Sequence, residues 1–309
     1  MRVIFCGNPA FALPTLRALL NSRHDVAAVV TSPDKPRGRG QGLSSLPVKK
    51  HAIVSGLPIL QPQKLRDEDF LTTIRRIEPD AIVVVAFRIL PRELFALPRL
   101  GSFNVHPSLL PRGRGPAPIP WTLIRGEQET GATIIRLTEQ IDGGDILAQE
   151  RIPVLPSDDF GSLHDKLADI GARILINVLD AFDRGDPPHP IPQDESNVTK
   201  APKLFAQDYE LDWDMPAENL ANRIRALSPM PGAVALADNR RTKILAAEVV
   251  ENLHHLEPGE LRPDDANGLV VGTGDGALRL IRVQPEGRRA MTVLEYLRGR
   301  PQLPNKFDK

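Results

Sequence analysis

The chain has 309 residues, 41% hydrophobic and 25% charged, with 39 cationic and 39 anionic side chains. That length is enough for two domains with sizeable cores, and a formal charge of zero argues against a general nucleic-acid footprint. No apolar run reaches the roughly 18 residues of a membrane span, MRVIFCGNPAF has too short an apolar core for a secretory signal, and the single cysteine, Cys6, excludes an internal disulfide or a cysteine-rich metal cluster. Together these features point to a cytoplasmic protein.

The first half alternates strand and helix. Arg2–Cys6 is an apolar run that ends at Gly7, and Leu13–Leu20 has helical spacing, with Pro14 tolerable in a first turn. Asp25–Val30 and Leu57–Leu60 are further apolar runs, and Phe70–Ile77 has helical spacing. Ala81–Ala86 is β-branched and unbroken, as expected of a strand buried on both faces. Gly101–His106 is the next strand. Such alternation predicts a parallel, doubly wound sheet with helices on both sides, with ligands at the carboxyl ends of its strands. Thr133–Leu137 and Ile146–Ile152 are two more strands. Leu163, Leu167, Ile170, Ile174, Val178 and Phe182 then mark an amphipathic helix.

A first domain over 1–186 is followed by a Pro-rich segment, 187–205, that reads as an extended linker. In 206–309 one helix, Pro216–Leu227, precedes short strands at Ala233–Ala237, Thr242–Val250, Gly268–Val271 and Leu278–Val283. Gly and Asp/Asn turns separate them, which suggests a small β-barrel or sandwich.

Asn104 and His106 sit two apart on one strand and so share a face. Imidazole moves protons near neutrality, and an amide donates to an oxygen that becomes negative. Asp142 precedes Gly143-Gly144, a turn that lifts a carboxylate out of a strand pair; a carboxylate beside an imidazole orients it. A strand-end histidine and an Asp-Gly turn are also common structural features, and the residues alone do not separate the two readings. The Gly7 turn lacks the spaced glycines of a dinucleotide site, and the seven histidines form no metal constellation. Residues 34–50 set Lys35, Arg37, Arg39, Lys49 and Lys50 against Asp34 alone, a local basic patch in a neutral chain.

Taken together, these segments resemble the folate-dependent formyltransferases. The resemblance rests on Asn104-Val105-His106, Ser108-Leu109-Leu110-Pro111, Arg114-Gly115, Ala117-Pro118-Ile119, Glu129-Thr130-Gly131 and Asp142-Gly143-Gly144-Asp145. Within that family, VTSPDKPRGRG, LPVKK, LQPQKLRD, LSPMPGA and GDGALRLIRVQPEGRRAM resemble the branch that acts on a charged tRNA. The chain departs from the family pattern at Pro107, Gly113 and Met230, and in VVVAFRILPREL, one residue shorter than usual where relatives border the pterin.

The resemblance implies a Rossmann-like catalytic domain and a C-terminal, tRNA-binding barrel of OB type. It implies transfer of a formyl group from 10-formyltetrahydrofolate to the α-amine of initiator methionyl-tRNA, in translation initiation, by a monomer without a metal. Residue by residue, it assigns catalysis to Asn104, His106 and Asp142, the folate site to Ser108, Leu109, Leu110 and Pro111, and tRNA contact to Lys35, Arg37, Arg39, Lys49 and Lys50. Two rivals stand beside it: a formyltransferase for a sugar-nucleotide amine, and a folate-binding module without catalysis.

Overall fold

A computed structural model describes residues 1–36, 43–238, 240–251, 255–264, 268–299 and 304–308. Its strands are β1 (Arg2–Gly7), β2 (Asp25–Val30), β3 (Lys35–Pro36), β4 (Leu43–Ser44), β5 (Ile59–Leu60), β6 (Ala81–Val85), β7 (Ser102–His106), β8 (Glu129–Arg136), β9 (Ile146–Pro153), β10 (Ala233–Ala237), β11 (Arg240–Val250), β12 (Leu261–Asp264), β13 (Gly268–Gly272), β14 (Ala277–Pro285) and β15 (Met291–Thr292). The α-helices are α1 (Leu13–Leu20), α2 (Pro47–Val54), α3 (Glu68–Ile77), α4 (Arg92–Phe95), α5 (Pro118–Ile124), α6 (Phe160–Asp183), α7 (Ala217–Leu227) and α8 (Val293–Arg298).

Two compact units divide the chain. One comprises Met1–Gly115, Glu129–Pro153 and His164–Ala201; the other comprises Pro116–Gln128, Val154–Leu163 and Pro202–Lys309. The first unit is built on a seven-stranded sheet in the order β5-β2-β1-β6-β7-β8-β9. The five strands from β5 to β7 are parallel, while β8 and β9 extend the sheet antiparallel. The sheet is therefore mixed, with a Rossmann-like parallel core. Its order reverses between β1 and β6, the switch point where α/β sheets bind ligands.

The apolar runs read in the sequence account for this core. All five residues of β6 are buried, as are Val3 to Cys6 in β1. One face of the sheet, with Ile4, Ile82 and Val84, packs on Phe70, Leu71 and Ile74 of α3. Each such side chain contributes about 1.5–3 kcal/mol on full burial. α3 is also well terminated: the Asp67 carboxylate accepts from the N–H groups of Asp69 and Phe70, and Glu78 closes the helix in the left-handed region at φ 50°.

The second unit carries an antiparallel sheet in the order β10-β11-β14-β13-β12, with β15 on β14. Its core includes Leu220 and Ile224 of α7, Ile244, Val271, Leu278 and the fully buried Trp213. The Trp213 ring stacks on Phe307 at 5.2 Å between centroids. No ladder joins edge strands β10 and β12 among the described residues, and the C-terminal segment fills that gap. Leu261 N–H donates to Asn305 O at 2.8 Å, Phe307 N–H to Gly259 O at 2.8 Å, and Asp308 N–H to Leu236 O at 2.7 Å. This tail bridges the two edges of the sheet. Among the described residues no helix is long and apolar enough to cross a membrane, and no cluster of His, Cys, Asp and Glu has the makings of a metal site.

Candidate active site

β7 lies between parallel β6 and antiparallel β8, with Asn104 opposite Ile135 and His106 opposite Thr133. Phe103 and Val105 turn toward α6. The Phe103 and Phe182 rings lie 5.1 Å apart, and a Cβ on Gly171 would fall 2.5 Å from Val105 Cγ1, so only glycine lets α6 come so close. Strand alternation then puts Asn104 and His106 together on the other face.

His106 is buried, and its Nε2 lies 3.0 Å from the Gly113 carbonyl oxygen. A carbonyl only accepts, so Nε2 carries a proton, and in the neutral ring Nδ1 keeps its lone pair. Nδ1 faces Asp142 Oδ1 at 3.7 Å. That is longer than a hydrogen bond, yet close enough for an ion pair once the ring takes a second proton. The other Asp142 oxygen, Oδ2, accepts from Gly115 N–H at 2.9 Å. Asp142 itself is in the left-handed region, at φ 53°. Asn104 is half-buried, and among the described residues its side-chain amide makes no hydrogen bond. A proton acceptor, an orienting carboxylate and an uncommitted amide donor thus meet at the carboxyl end of one strand.

The stretch after His106 is a turn saturated by its own hydrogen bonds. Ser108 Oγ donates to Arg112 O at 2.6 Å. Thr133 Oγ1 donates to Ser108 O at 2.6 Å and accepts from Leu110 N–H and from Gln149 Nε2. Ser108 and Leu110 are buried, so Leu109 and Pro111, half-buried, are the two with surface to offer an apolar ring. The shortened loop nearby is tied down by Arg88, which donates to Pro62 O at 3.0 Å and Gln63 O at 3.1 Å. Cys6 lies within the core, and burial pushes its thiol up to about 12, which suits an inert core residue.

Of the five basic positions, Arg37 and Arg39 lie outside the described residues, as does the side chain of Lys35. Lys49 is paired with Asp34 and largely covered, whereas Lys50 is exposed. Lys49 and Lys50 belong to α2 rather than to a loop.

Sequence reasoning missed the partners of the 113–115 backbone. Arg114 is buried, and its guanidinium donates to Gln193 Oε1 (2.9 and 2.8 Å) and to Glu195 (3.1 and 2.8 Å). The hydrogen bonds from Arg114 hold the Glu195 carboxyl below the usual range. Arg114 N–H donates to Thr199 O, and Ala201 N–H to Arg114 O. Gly115, at φ 126°, accommodates this strap: a Cβ there would meet Ala201 O at 2.6 Å. The polar run QDESNVT gave no periodic signal that would have exposed these contacts.

Comparison with known proteins matches two successive stretches of the chain. Residues 1–179 match the family described as Formyl transferase, and residues 203–301 match Formyl transferase, C-terminal domain. The chain is 42% identical over 308 residues to the methionyl-tRNA formyltransferase of Moorella thermoacetica, covering 99% of each chain. It is 44% identical to that of Syntrophus aciditrophicus, covering 96% of this chain and 95% of the relative. A solved sugar 3N-formyl transferase, WlaRD, described in the presence of dTDP and 5-N-formyl-THF, superposes with a TM-score of 0.67 at 16% identity, covering 94% of this chain and 99% of that one.

Proposed function

The chain belongs to the formyl transferase family, and on that premise we propose that it transfers the formyl group of 10-formyltetrahydrofolate to the α-amine of methionine on initiator tRNA, in translation initiation. The observation that carries this reading is likeness from end to end. Relatives named for methionyl-tRNA are 42 to 44% identical across both units, while the sugar formyl transferase is only 16% identical. A folate-binding module without catalysis is disfavoured by the whole trio: the uncommitted Asn104 amide shares a strand face with His106, whose Nδ1 looks toward Asp142.

10-Formyltetrahydrofolate supplies the formyl carbon and leaves as tetrahydrofolate. Asn104 donates its free amide N–H to the formyl oxygen, where negative charge develops as the amine attacks. One such donor is worth about 10²–10³ in rate. Nδ1 of His106, the nitrogen not committed to Gly113, takes the proton the amine loses and returns it to the departing N10. A general base of this kind is worth about 10²–10⁴. Asp142 balances the charge on the ring while it holds that proton. Leu109 and Pro111 offer apolar surface to the pterin, and the basic patch including Lys50 meets the phosphates of the acceptor stem, so tRNA binding weakens with salt. The same reading makes the enzyme a cytoplasmic monomer.

The test is to mix the protein with 10-formyltetrahydrofolate and methionyl-tRNA and to follow formyl-methionyl-tRNA. Turnover is expected in the wild type, with kcat about 10²–10³ lower in Asn104→Ala. A wild type that leaves methionyl-tRNA untouched, or that formylates an amino sugar nucleotide instead, ends this reading.

A further inference from the structure

We propose that Gln193 is a positioning residue for this reaction, and that the segment 193–201 holds His106 and Asp142 at their working separation. The inference rests on the function proposed above.

Two residues of the 113–115 backbone each touch one member of the pair. Gly113 O receives Nε2–H of His106, and Gly115 N–H donates to Asp142. The strap fixes Gly113 and Arg114 from one side. Gly113 N–H donates to Thr199 Oγ1 at 2.9 Å, Arg114 N–H to Thr199 O at 2.9 Å, and Ala201 N–H to Arg114 O at 2.7 Å. The histidine's acceptor is therefore a carbonyl whose peptide neighbours are pinned.

The carboxylate is harder to hold. Asp142 sits in a left-handed conformation that non-glycine residues seldom adopt, and two glycines follow it. Left alone, such a loop relaxes. Gln193 is what spans it: its Nε2 donates to Asp142 O at 2.8 Å and to Gly144 O at 2.7 Å. Both amide hydrogens are used. Its Oε1 accepts twice from Arg114, whose backbone is the same tripeptide that carries the histidine's acceptor. One side chain thus ties the aspartate's loop to the histidine's support. Glu195 completes the link by taking the remaining face of the Arg114 guanidinium. Gln193 touches neither reacting atom, so it acts only through the distance between Asp142 and His106.

Two variants at position 193 separate positioning from plain stability. Gln193→Glu keeps an oxygen for Arg114 but cannot donate to the two carbonyls. Gln193→Met removes both interactions at similar volume. Each is expected to lower kcat about 10- to 100-fold, with KM for both substrates and the denaturation midpoint near wild type. Thr199→Val, which removes the acceptor of Gly113 N–H, gives a smaller loss in kcat. The inference is overturned if Gln193→Met keeps kcat within about twofold of wild type, or if the loss appears in KM or tracks the unfolded fraction. A wild type without turnover would instead remove the function. The inference is then decided by a crystal structure of Gln193→Met, where an unchanged 3.7 Å between Asp142 and His106 overturns it.

Discussion

His24 and His106 are both buried, and each has an aspartate within ion-pair reach: Asp180 at 3.3 Å from His24 Nε2, and Asp142 at 3.7 Å from His106 Nδ1. The difference lies at the second nitrogen. His24 Nδ1 lies 3.4 Å from the chain's amino group, which donates to it. His106 Nε2 lies against a carbonyl, which accepts from it. Burial first, then the positive amino group, pull the His24 value below the ordinary imidazole range, against Asp180 and Asp183. His24 also precedes β2, at the amino end of the sheet, whereas His106 ends β7 at the edge where ligands gather. An imidazole beside a carboxylate is thus not a site in itself. What the ring's other nitrogen meets, and which end of a strand carries it, decide between a packing residue and one equipped for proton transfer.

The largest effect should come from the histidine assigned to chemistry. His106→Ala is expected to lower kcat about 10²–10⁴-fold, while His24→Phe leaves it unchanged, both read as initial rates of methionyl-tRNA formylation. Equal losses would erase the contrast between the two rings. A smaller effect belongs to the backbone that serves Asp142. Gly115→Ala forces a Cβ against Ala201 O at positive φ. It should destabilise the first unit by about 1–3 kcal/mol, seen as a lower midpoint in urea, and an unchanged midpoint would show that the strap gives way freely.

The smallest effect is a pH slope. Because the folded-state value of His24 is lowered, the folded protein binds fewer protons than the unfolded chain as the pH falls below 6.5. Its contribution to stability is complete above that pH and lost as the pH drops from 6.5 toward the folded value. Denaturation midpoints followed from neutral to mildly acid pH should fall more steeply in wild type than in His24→Phe; parallel curves would mean that burial does not govern this ring.

Much of this was legible in the residues. The unbroken run AIVVVA announces β6, the spacing from Leu163 to Phe182 announces α6, and the shared parity of Asn104 and His106 places them on one face. Asp142 stood out as a candidate carboxylate, but an Asp before two glycines is also ordinary turn chemistry, and only the resemblance favoured a functional reading. α5 escaped notice for a specific reason. Its prolines, 118 and 120, would break a helix interior, yet both fall in a first turn, where the missing N–H groups would have had no helical acceptor. The strap escaped for another. Gln193 and Thr199 act through backbone carbonyls and amides, and hydrogen bonds to backbone leave no pattern in the partner's sequence. The prolines of 187–205 suggest an extended linker, but nothing in them points to the attachment of Thr199 and Ala201 to residues 113–114.

The way residues 305–308 knit β10 to β12 has a practical side. Paired strands show no raw border to a neighbouring molecule, whereas trimmed ones offer a template for cross-chain pairing. Shortening the protein by its last few positions would therefore do more than loosen Phe307 from Trp213: it would leave two sticky selvedges, and the outcome to expect is clumping rather than gentle softening.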